Sequence, residues 1–291
     1  MTNVIDLHIH TTASDGSDTP AQLIANLKRS GIRIFAVTDH DTIGALAEVS
    51  ALTGPEITFI PGVEFSCVSP GGKCHILGYG FDPADSQIQA ALAEGHRRRR
   101  EKLNIRLRYL EDTFGIILTE AERNWIFSRS CPGKPHLGRI LLQRGLAPDV
   151  STAIARYVNP CRTPGDRIEA SMAIDAILHA GGIPVWAHPL GGEGERRLTR
   201  EEFMSQLEEL LALGIRGMEC RYSRYSLADS DFLLSQARTH GLLVSGGSDY
   251  HGINKDDLPL GRLCAEDCPV PAGELSIAAH LLGQSSTSLI R

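Results

Sequence analysis

The chain of 291 residues is long enough to bury one large hydrophobic core or two modest ones. A hydrophobic fraction of 42% with 22% charged residues is ordinary for a globular protein. The formal charge of -6 argues against tight non-specific binding to long nucleic acid.

Membrane and disulfide signals are both missing from the sequence. Since it has no apolar run of transmembrane length and no secretory signal pattern, we expect a cytoplasmic protein without membrane association. The seven cysteines include no C-x-x-C pair, so neither a disulfide framework nor a zinc knuckle is indicated. We expect reduced, mostly buried thiols.

The first 90 residues alternate short apolar runs with helical patterns. A helix is predicted after the first run, because Thr19 suits an N-cap, Pro20 the first turn and Gly31 the C-terminal stop. This strand–helix–strand order implies parallel pairing. The predicted strands are VIDLHI (4–9), IFAVTD (34–39), ITFIPGVEFS (57–66) and HILGYG (75–80).

Between residues 94 and 168 the strand pattern gives way to charged sequence with helical periodicity. Leu103, Leu107, Leu110 and Phe114 recur at helical spacing after the run RRRR, which we interpret as a solvated helix face. The segments TEAERNWIF, PHLGRILLQRG and DVSTAIARYV predict further helices. We therefore predict a helical insertion over 94–168 that contributes substrate specificity.

Strand and helix patterns resume after the insertion. The segments IPVWAHP (183–189), IRGMEC (215–220) and LLVSGGSD (242–249) read as strands, and each follows a helical segment closed by glycine. Seven strands in a repeating β–α order predict an α/β fold with a closed or nearly closed barrel. The predicted barrel domain comprises residues 1–93 and 169–291.

Histidines and carboxylates gather at the predicted strand ends. The carboxyl ends of parallel barrel strands share one face, so these side chains should converge there. Strand alternation places His8 and His10 on the same side, where both can bind one ion. Nine candidates are too many for one ion, so we predict two or three divalent metal ions. The candidate ligands are His8, His10, Asp15, His40, Glu64, His75, His188, Asp249 and His251.

Three further carboxylates lie close to these histidines. Asp6 alternates in phase with the histidine pair, so it is either a ligand or a hydrogen-bond partner of one. Asp39 and Asp41 flank His40 and are expected to support ligands or cap a helix. Imidazole and carboxylate ligands without thiolates suit manganese, iron, zinc or cobalt.

Four sequence blocks resemble the motifs of the PHP domain (polymerase and histidinol phosphatase) family of phosphoesterases. The blocks are DLHIHTTASDG, TDHDT, GVEFS with CHILGYG, and AHP with GSDYH. They cover most of residues 1–90 and 183–251. The resemblance implies a distorted (β/α)7 barrel with a trinuclear metal centre that hydrolyses phosphoester bonds.

The family pattern assigns the nine candidate ligands to three ions. One ion would take His8, His10, Glu64 and Asp249; a second would share Glu64 and add His75 and His188; a third would take Asp15, His40 and His251. The resemblance further implies that a metal-bound hydroxide, held by the first of these ligand sets, attacks phosphorus. Manganese is the first choice by resemblance, with iron or zinc as alternatives.

Several polar residues in the insertion and after one barrel strand are candidates for binding a second phosphate. Those in SCPGKPHLGR surround a turn and a helix start, which suits anion binding. For each single basic residue, a solvated or salt-bridged surface role is an equal alternative. The candidates are Lys134, His136, Arg139, Arg162, Arg221, Tyr222 and Arg224.

Within the family, the resemblance is to a branch that acts on nucleotides. It implies a phosphatase that removes the 3'-phosphate of 3',5'-bisphosphonucleotides such as adenosine 3',5'-bisphosphate. The alternatives are a 5'-to-3' exoribonuclease on short RNA oligonucleotides, a histidinol-phosphate-type phosphatase and a non-catalytic barrel. The expected partner is a small nucleotide or short oligonucleotide, whereas oligomeric state, native metal and the general acid stay open.

Overall fold

The computed structural model describes residues 3–129, 132–192 and 196–283. Two units divide the chain: a barrel unit up to Ala91 and from Ile168 onward, and an insertion unit, Leu92–Arg167. Cys131 and the predicted barrel residues 284–291 lie outside the described residues.

The described elements alternate between strands and helices in the barrel unit and are all helical in the insertion. The strands are β1 (Ile5–Asp6), β2 (Ile34–Val37), β3 (Thr58–Ser69), β4 (Gly72–Tyr79), β5 (Ile168–Glu169), β6 (Ile183–Trp186), β7 (Gly217–Tyr222) and β8 (Leu243–Gly247). The α-helices are α1 (Pro20–Ser30), α2 (Leu46–Leu52), α3 (Ser86–Phe114), α4 (Glu120–Phe127), α5 (Lys134–Gln143), α6 (Val150–Ala153), α7 (Ala170–His179), α8 (Arg200–Ala212), α9 (Leu227–Thr239) and α10 (Ser276–Leu282).

The strands form a nearly closed barrel in the order β1-β2-β3-β4-β6-β7-β8. The last strand returns to the first, since the Leu7 amide donates to the Gly246 carbonyl at 3.2 Å and the Asp249 amide to the His8 carbonyl at 2.9 Å. The predicted α/β barrel is confirmed. The short strand β5, which the sequence pattern did not indicate, pairs with β3 beside this path.

Strand β4 runs against the direction expected of a parallel barrel. It is antiparallel to both β3 and β6. Only Pro70 and Gly71 separate Ser69 of β3 from its partner Gly72 of β4. A two-residue connection can close only an antiparallel hairpin, because parallel strands need a long crossover. As a result, His75 lies in the first half of its strand and not at the carboxyl end.

Helix α1 forms as its end signals predict. The Thr19 side chain accepts from the Gln22 amide, and the Gln22 side chain accepts from the Thr19 amide. Gly31 ends the helix with φ of 76°, a backbone conformation that favours glycine. These bonds fix the helix that connects the first two barrel strands.

The insertion has a hydrophobic core of its own. Leu103, Leu107 and Leu110 of α3 are buried in it, as their spacing predicts. Phe114, expected on the same face, is the last residue of α3 and is 39% exposed, although its ring meets Tyr157 edge-on. The helix predicted over 149–158 is divided into α6 and a π-helical turn over Ile154–Val158.

In the part of the chain that the structure describes, no helix combines the length and apolarity needed to cross a bilayer.

Candidate metal centre

His8 and His10 lie just beyond the regular pairing of β1. The segment continues in extended form, since Ile9 makes a single parallel bridge to Tyr250. Both imidazoles are completely buried. Their Nε2 atoms lie 3.2 and 3.3 Å from the same oxygen, Oε2 of Glu64. The i, i+2 spacing therefore directs two rings to one carboxylate, as strand alternation predicts.

Glu64 is the carboxylate around which most of the candidate ligands gather. It is buried in β3, near the end of the parallel pairing with β2. Its two carboxylate oxygens lie 2.8–3.3 Å from ring nitrogens of five histidines: His8, His10, His40, His75 and His188. A carboxylate that faces nitrogen ligands through both oxygens suits bridging between two cations.

Asp249 and Asp15 extend the cluster from either side. Oδ1 of Asp249 lies 3.2 Å from Nε2 of His10 and 3.5 Å from Nδ1 of His251. Oδ1 of Asp15 lies 3.3 Å from Nε2 of His251, and Oδ2 lies 3.9 Å from Nε2 of His40. The structure thus brings together all nine candidate ligands proposed from the sequence.

Three overlapping groups of donor atoms have the spacing of cation sites. In each group the ligand atoms lie within 4.8 Å of one another. Compared with the three ligand sets implied by resemblance, these groups share His10 and His40, contain Glu64 only once and do not include His188. The groups are His10, Asp15, His40 and His251; His8, His10 and Asp249; and His40, Glu64 and His75.

Unsatisfied polar atoms show that the cluster suits cations. Buried polar atoms in proteins almost always have hydrogen-bond partners. Here several buried atoms that face the cluster have none: Nε2 of His8, both ring nitrogens of His10, Nδ1 of His40, Nε2 of His251 and Oε2 of Glu64. Divalent cations would satisfy these nitrogen and oxygen donors, which fit the metals expected from the ligand types.

Burial and opposing charges shift the pKa values of the histidines in different directions. Burial lowers the pKa of His40 to about 3, so this imidazole is neutral and able to coordinate. For His10, burial acts downward, but the nearby carboxylates of Asp249 and Glu64 outweigh it and raise the pKa to about 9. The carboxylates of Glu219 and Glu64 likewise outweigh burial and hold the pKa of His8 well above its usual value.

The three acids of the cluster remain ionised despite their burial. Burial alone would raise the pKa of each carboxyl group. Basic neighbours instead hold the pKa values well below their usual range: His40, which carries charge only at low pH, for Glu64 and Asp15, and Lys255 for Asp249. The cluster therefore presents three negative charges to an incoming cation.

Backbone strain is concentrated at the same rim. Asp41, His188 and Asp249 have φ values of 49°, 28° and 58°, a region that non-glycine residues rarely adopt. Such conformations persist only where surrounding contacts hold them, and they often mark functional sites. The Asp41 carboxylate accepts a hydrogen bond from the Ser66 amide at 2.8 Å, which ties the β2 end to β3.

Asp39 and Asp6 support the ligands through hydrogen bonds. Asp39 accepts from the Thr11 amide and hydroxyl, both at 2.7 Å, and from the Ser14 hydroxyl at 2.6 Å. Asp6 accepts from the amide and hydroxyl of Ser248 and belongs to none of the three cation groups. Of the two roles considered for Asp6, the structure favours the hydrogen-bonding one.

Two residues at the site were missed by sequence reasoning. Glu219 is completely buried in β7, where it contacts His8 and the backbone of His188. The signal was an acid inside the apolar run IRGMEC, which has no motif around it. Nζ of Lys255 lies 3.1 Å from Oδ2 of Asp249, and nothing in the sequence pattern pointed to it.

The substrate candidates at the end of β7 and just after it contact carboxylates. Arg221 forms a bidentate ion pair with Glu274, at 2.5 and 3.1 Å. The Tyr222 hydroxyl is buried and donates to Oδ2 of Asp249 at 3.1 Å. Arg224 pairs with Asp257 at 3.0 Å. Phosphate contacts by these three residues stay predictions.

The substrate candidates of the insertion lie near the start of α5 and in the loop before β5. Nζ of Lys134 is 2.6 Å from Oδ1 of Asn159. His136 accepts from the Gly133 amide through Nδ1 at 3.2 Å, which caps the helix start. Arg139 and Arg162 are exposed. Their contacts with a phosphate also stay predictions.

Comparison with known proteins identifies the family. The model of the PHP domain matches residues 6–159, which is more than half of the chain. The chain is 31% identical over 274 residues to a 3',5'-nucleoside bisphosphate phosphatase of Chromobacterium violaceum, covering 91% of this chain and 92% of that protein. It is 30% identical over 255 residues to the 5'-3' exoribonuclease Rnm of Escherichia coli, covering 85% of each.

A solved structure supports the same assignment. A Bifidobacterium adolescentis protein described as a metal-dependent phosphoesterase aligns with a TM-score of 0.79 and 25% identity, over 99% of both chains. The residues matched by the family model include six of the nine candidate ligands: His8, His10, Asp15, His40, Glu64 and His75. The chain therefore belongs to the PHP domain family, and it is a metal-dependent hydrolase of phosphoester bonds.

Proposed function

We propose that the protein is a manganese-dependent phosphatase that removes the 3'-phosphate of 3',5'-bisphosphonucleotides such as adenosine 3',5'-bisphosphate. The products would be the 5'-monophosphate and phosphate. The gathering of imidazoles around both oxygens of Glu64 is the observation that carries the hydrolytic chemistry. The substrate class is supported by the similarity to the Chromobacterium violaceum 3',5'-nucleoside bisphosphate phosphatase over 91% of the chain.

The chain supplies ligands for two to three cations. Glu64 would join neighbouring ions through its two oxygens, and Asp249 and Asp15 would hold the ions on either side. Cations bound by these groups would lower the pKa of a water molecule and neutralise phosphate charge during in-line displacement. Imidazole and carboxylate donors suit manganese, with iron or zinc as alternatives.

The protein orients its ligands before any substrate binds. Nδ1 of His251 donates to the backbone carbonyl of Asp249 at 2.7 Å, which leaves Nε2 to face Asp15. His8 and His10 are completely buried, so their rings are fixed by packing as well. A ligand set held in this way orders few groups when substrate binds, which favours catalysis.

The insertion is proposed to contribute to substrate choice. Lys134 and Arg162 are the strongest candidates for binding the second phosphate, because an ammonium or guanidinium group forms charge-assisted hydrogen bonds to phosphate. The bond of Lys134 to Asn159 and the exposure of Arg162 are compatible with this role. This part of the proposal is tested by substitution.

The decisive experiment compares three substrates with manganese supplied: adenosine 3',5'-bisphosphate, adenosine 3'-monophosphate and an RNA trinucleotide. We expect the fastest release of phosphate from the bisphosphate. Lys134→Ala and Arg162→Ala should raise KM for the bisphosphate more than for the 3'-monophosphate, whereas Arg123→Ala, an exposed arginine of α4, should leave both unchanged. Unchanged KM values in the first two variants would remove them from the phosphate site.

A second candidate function is a 5'-3' exoribonuclease acting on short RNA. The identity of 30% to the Escherichia coli exoribonuclease Rnm over 85% of the chain favours it. The two activities share phosphoester chemistry and differ in the leaving group. Release of mononucleotides from the trinucleotide, without release of phosphate from the bisphosphate, would establish this second function in place of the first.

A further inference from the structure

Strand β7 differs from its neighbours in the barrel because it supplies none of the nine candidate ligands. Each other strand on the closed path carries at least one ligand within it or shortly after it. Strand β7 instead contributes two completely buried side chains, Glu219 and Tyr222, which contact ligands from other strands.

A β-bulge explains how both side chains reach the cluster. Glu219 pairs with Ser245 and Arg221 pairs with Gly246, so Cys220 is an extra residue on β7. In a regular strand, residues three apart point to opposite faces. The extra residue removes this restriction, and bulges commonly redirect side chains next to active sites.

Glu219 holds two ligands from two different strands. Its Oε1 lies 2.9 Å from Nδ1 of His8, and its Oε2 accepts from the backbone amide of His188 at 2.7 Å. Because a carboxylate can only accept, Nδ1 of His8 carries the proton and Nε2 is directed to Glu64 at 3.2 Å. The second bond holds His188 in its strained backbone conformation, with φ of 28°.

Tyr222 orients a third ligand. Its hydroxyl donates to Oδ2 of Asp249 at 3.1 Å, while Oδ1 of the same carboxylate faces His10 at 3.2 Å. Together with Nζ of Lys255, which also lies 3.1 Å from Oδ2, this bond holds Oδ2 away from the cluster and presents Oδ1 to it. Hydrogen bonds to the far side of a ligand fix its orientation and tune its affinity for the metal.

We propose that Glu219 and Tyr222 are positioning residues that set the affinity of the centre for metal ions. Glu219 has the larger role, since it orients His8 and His188 together. The inference rests on the metal dependence of the family and not on the substrate proposed above. It predicts that Glu219 and Tyr222 act on metal affinity through the ligands that they contact and not by binding a metal ion themselves.

The test is a titration of manganese into the metal-free full-length chain, followed by calorimetry. Glu219→Gln keeps the side-chain volume but offers one acceptor and one NH2 group to two donors, so one of the two bonds is lost. We expect manganese affinity to fall about 10–100-fold, the usual cost of losing such a partner. Tyr222→Phe should cost less, about 3–10-fold, because a single hydrogen bond is removed.

Glu209→Gln is the matched control. Glu209 also accepts two hydrogen bonds, from the Ser69 hydroxyl at 3.0 Å and the Gly71 amide at 2.7 Å, but it touches no ligand. Its substitution should leave manganese affinity within twofold of the unchanged protein. A second readout is the manganese dependence of phosphoester hydrolysis: excess manganese should restore most of kcat in Glu219→Gln, since the ion then re-imposes the orientation of His8.

The outcomes separate a positioning role from a structural one. A lower Tm of the metal-free Glu219→Gln protein, with manganese affinity within twofold of the unchanged protein, would overturn the proposal. If Glu219→Gln fails to fold, Tyr222→Phe decides: lower affinity supports the proposal, and unchanged affinity overturns it. Because the titration needs no substrate, its result stands apart from the success or failure of the bisphosphate assay.

Discussion

The barrel and the insertion use their charged side chains in opposite ways. At the barrel rim, at least one ring nitrogen of each of His8, His10, His40 and His251 is buried without a hydrogen-bond partner. In the insertion, several acids and bases satisfy one another through ion pairs within the unit: Glu94 with Arg97 and Arg98, Lys102 with Asp166, and Glu122 with Arg144. The rim thus requires an external group, whereas these insertion residues satisfy each other.

This contrast shows that buried polar atoms without hydrogen-bond partners mark a ligand site better than a high local charge does. The run RRRR has the highest local charge in the chain, yet Arg97 and Arg98 pair with Glu94 on the surface of α3, as expected of a solvated face. Exposed pairs of this kind contribute little to stability and carry no chemistry. Glu64 is instead completely buried, and its Oε2 has no hydrogen-bond partner, which is a deficit that bound cations would satisfy.

The largest expected effect comes from removing the central carboxylate of the rim. Glu64→Gln should lower kcat/KM at least about 10³-fold, because metal-assisted charge stabilisation is worth several kcal/mol. It should also lower the number of metal ions per chain, measured by elemental analysis. Glu48→Gln, an exposed acid of α2, is the control. If the Glu64→Gln protein kept its full metal content and an activity within tenfold of the unchanged protein, the contrast between the rim and the insertion would lose its basis.

The next effect concerns stability and is confined to the insertion. Leu137 is completely buried in the insertion core, so Leu137→Ala should lower the free energy of unfolding by about 2–5 kcal/mol. Since the candidate ligands all lie in the barrel unit, metal content should not change. Urea unfolding measures the first quantity, and Ile117→Ala, at a residue 60% exposed, controls for loss of side-chain volume. Loss of metal in Leu137→Ala would contradict the independence of the barrel site.

Removal of metal should destabilise the barrel unit and leave the stability of the insertion unchanged, which is the reverse of the effect expected for Leu137→Ala. Free metal at 100 times its Kd stabilises a folded protein by about 2.7 kcal/mol per site, so chelation should lower Tm by the corresponding amount. Hydrogen exchange should then quicken at the strand ends around His8, Glu64 and Asp249, while α3 and α5 keep their protection. Equal loss of protection in the insertion would show that its stability also depends on the ions.

Much of the barrel could be predicted because its signals are local. Strand alternation and the β–α order place His8, His10 and Glu64 at one rim, as the structure has them. The direction of β4 was missed because it depends on the two-residue turn at Pro70. The part played by Glu219 was missed because it depends on a β-bulge, which shows only in the pairing between strands.

For the insertion, the sequence predicted the helices and their core residues but not the partners of the charged side chains. Their apolar periodicity identifies Leu103 and Leu107 as core residues, since that pattern is local to one helix. The partners of the basic side chains depend instead on which helices pack together. Arg144, for example, pairs with Glu122 from a different helix, which no spacing in the sequence indicates. For this reason the phosphate contacts of the insertion stay predictions, whereas the family assignment is confirmed.

The smallest expected effect tests whether the insertion gains stability from its internal pairs. The Glu122 carboxylate accepts from Nε of Arg144 at 2.7 Å and from the Thr119 amide at 2.7 Å. The hydrogen bond to Arg144 is the main cause that lowers the pKa of Glu122 to about 2. A pKa lowered by folding stabilises the folded state above the unfolded value of about 4.5, and the stabilisation is lost as the pH falls from 4.5 to 2.

Glu122→Gln should therefore lower the free energy of unfolding by about 1 kcal/mol at pH 6, a modest value because the pair is partly exposed. Near pH 2 the difference should be much smaller, since Glu122 is then about half protonated in the folded state and almost fully protonated in the unfolded state. Urea unfolding at the two pH values measures the difference, with Glu120→Gln on the same turn as control. A difference that is the same at both pH values would mean that charge pairing contributes nothing in the insertion. The ion pairs of the insertion would then add no stability beyond solvation of their charges. The contrast with the rim would depend only on the unpartnered atoms of the histidine cluster.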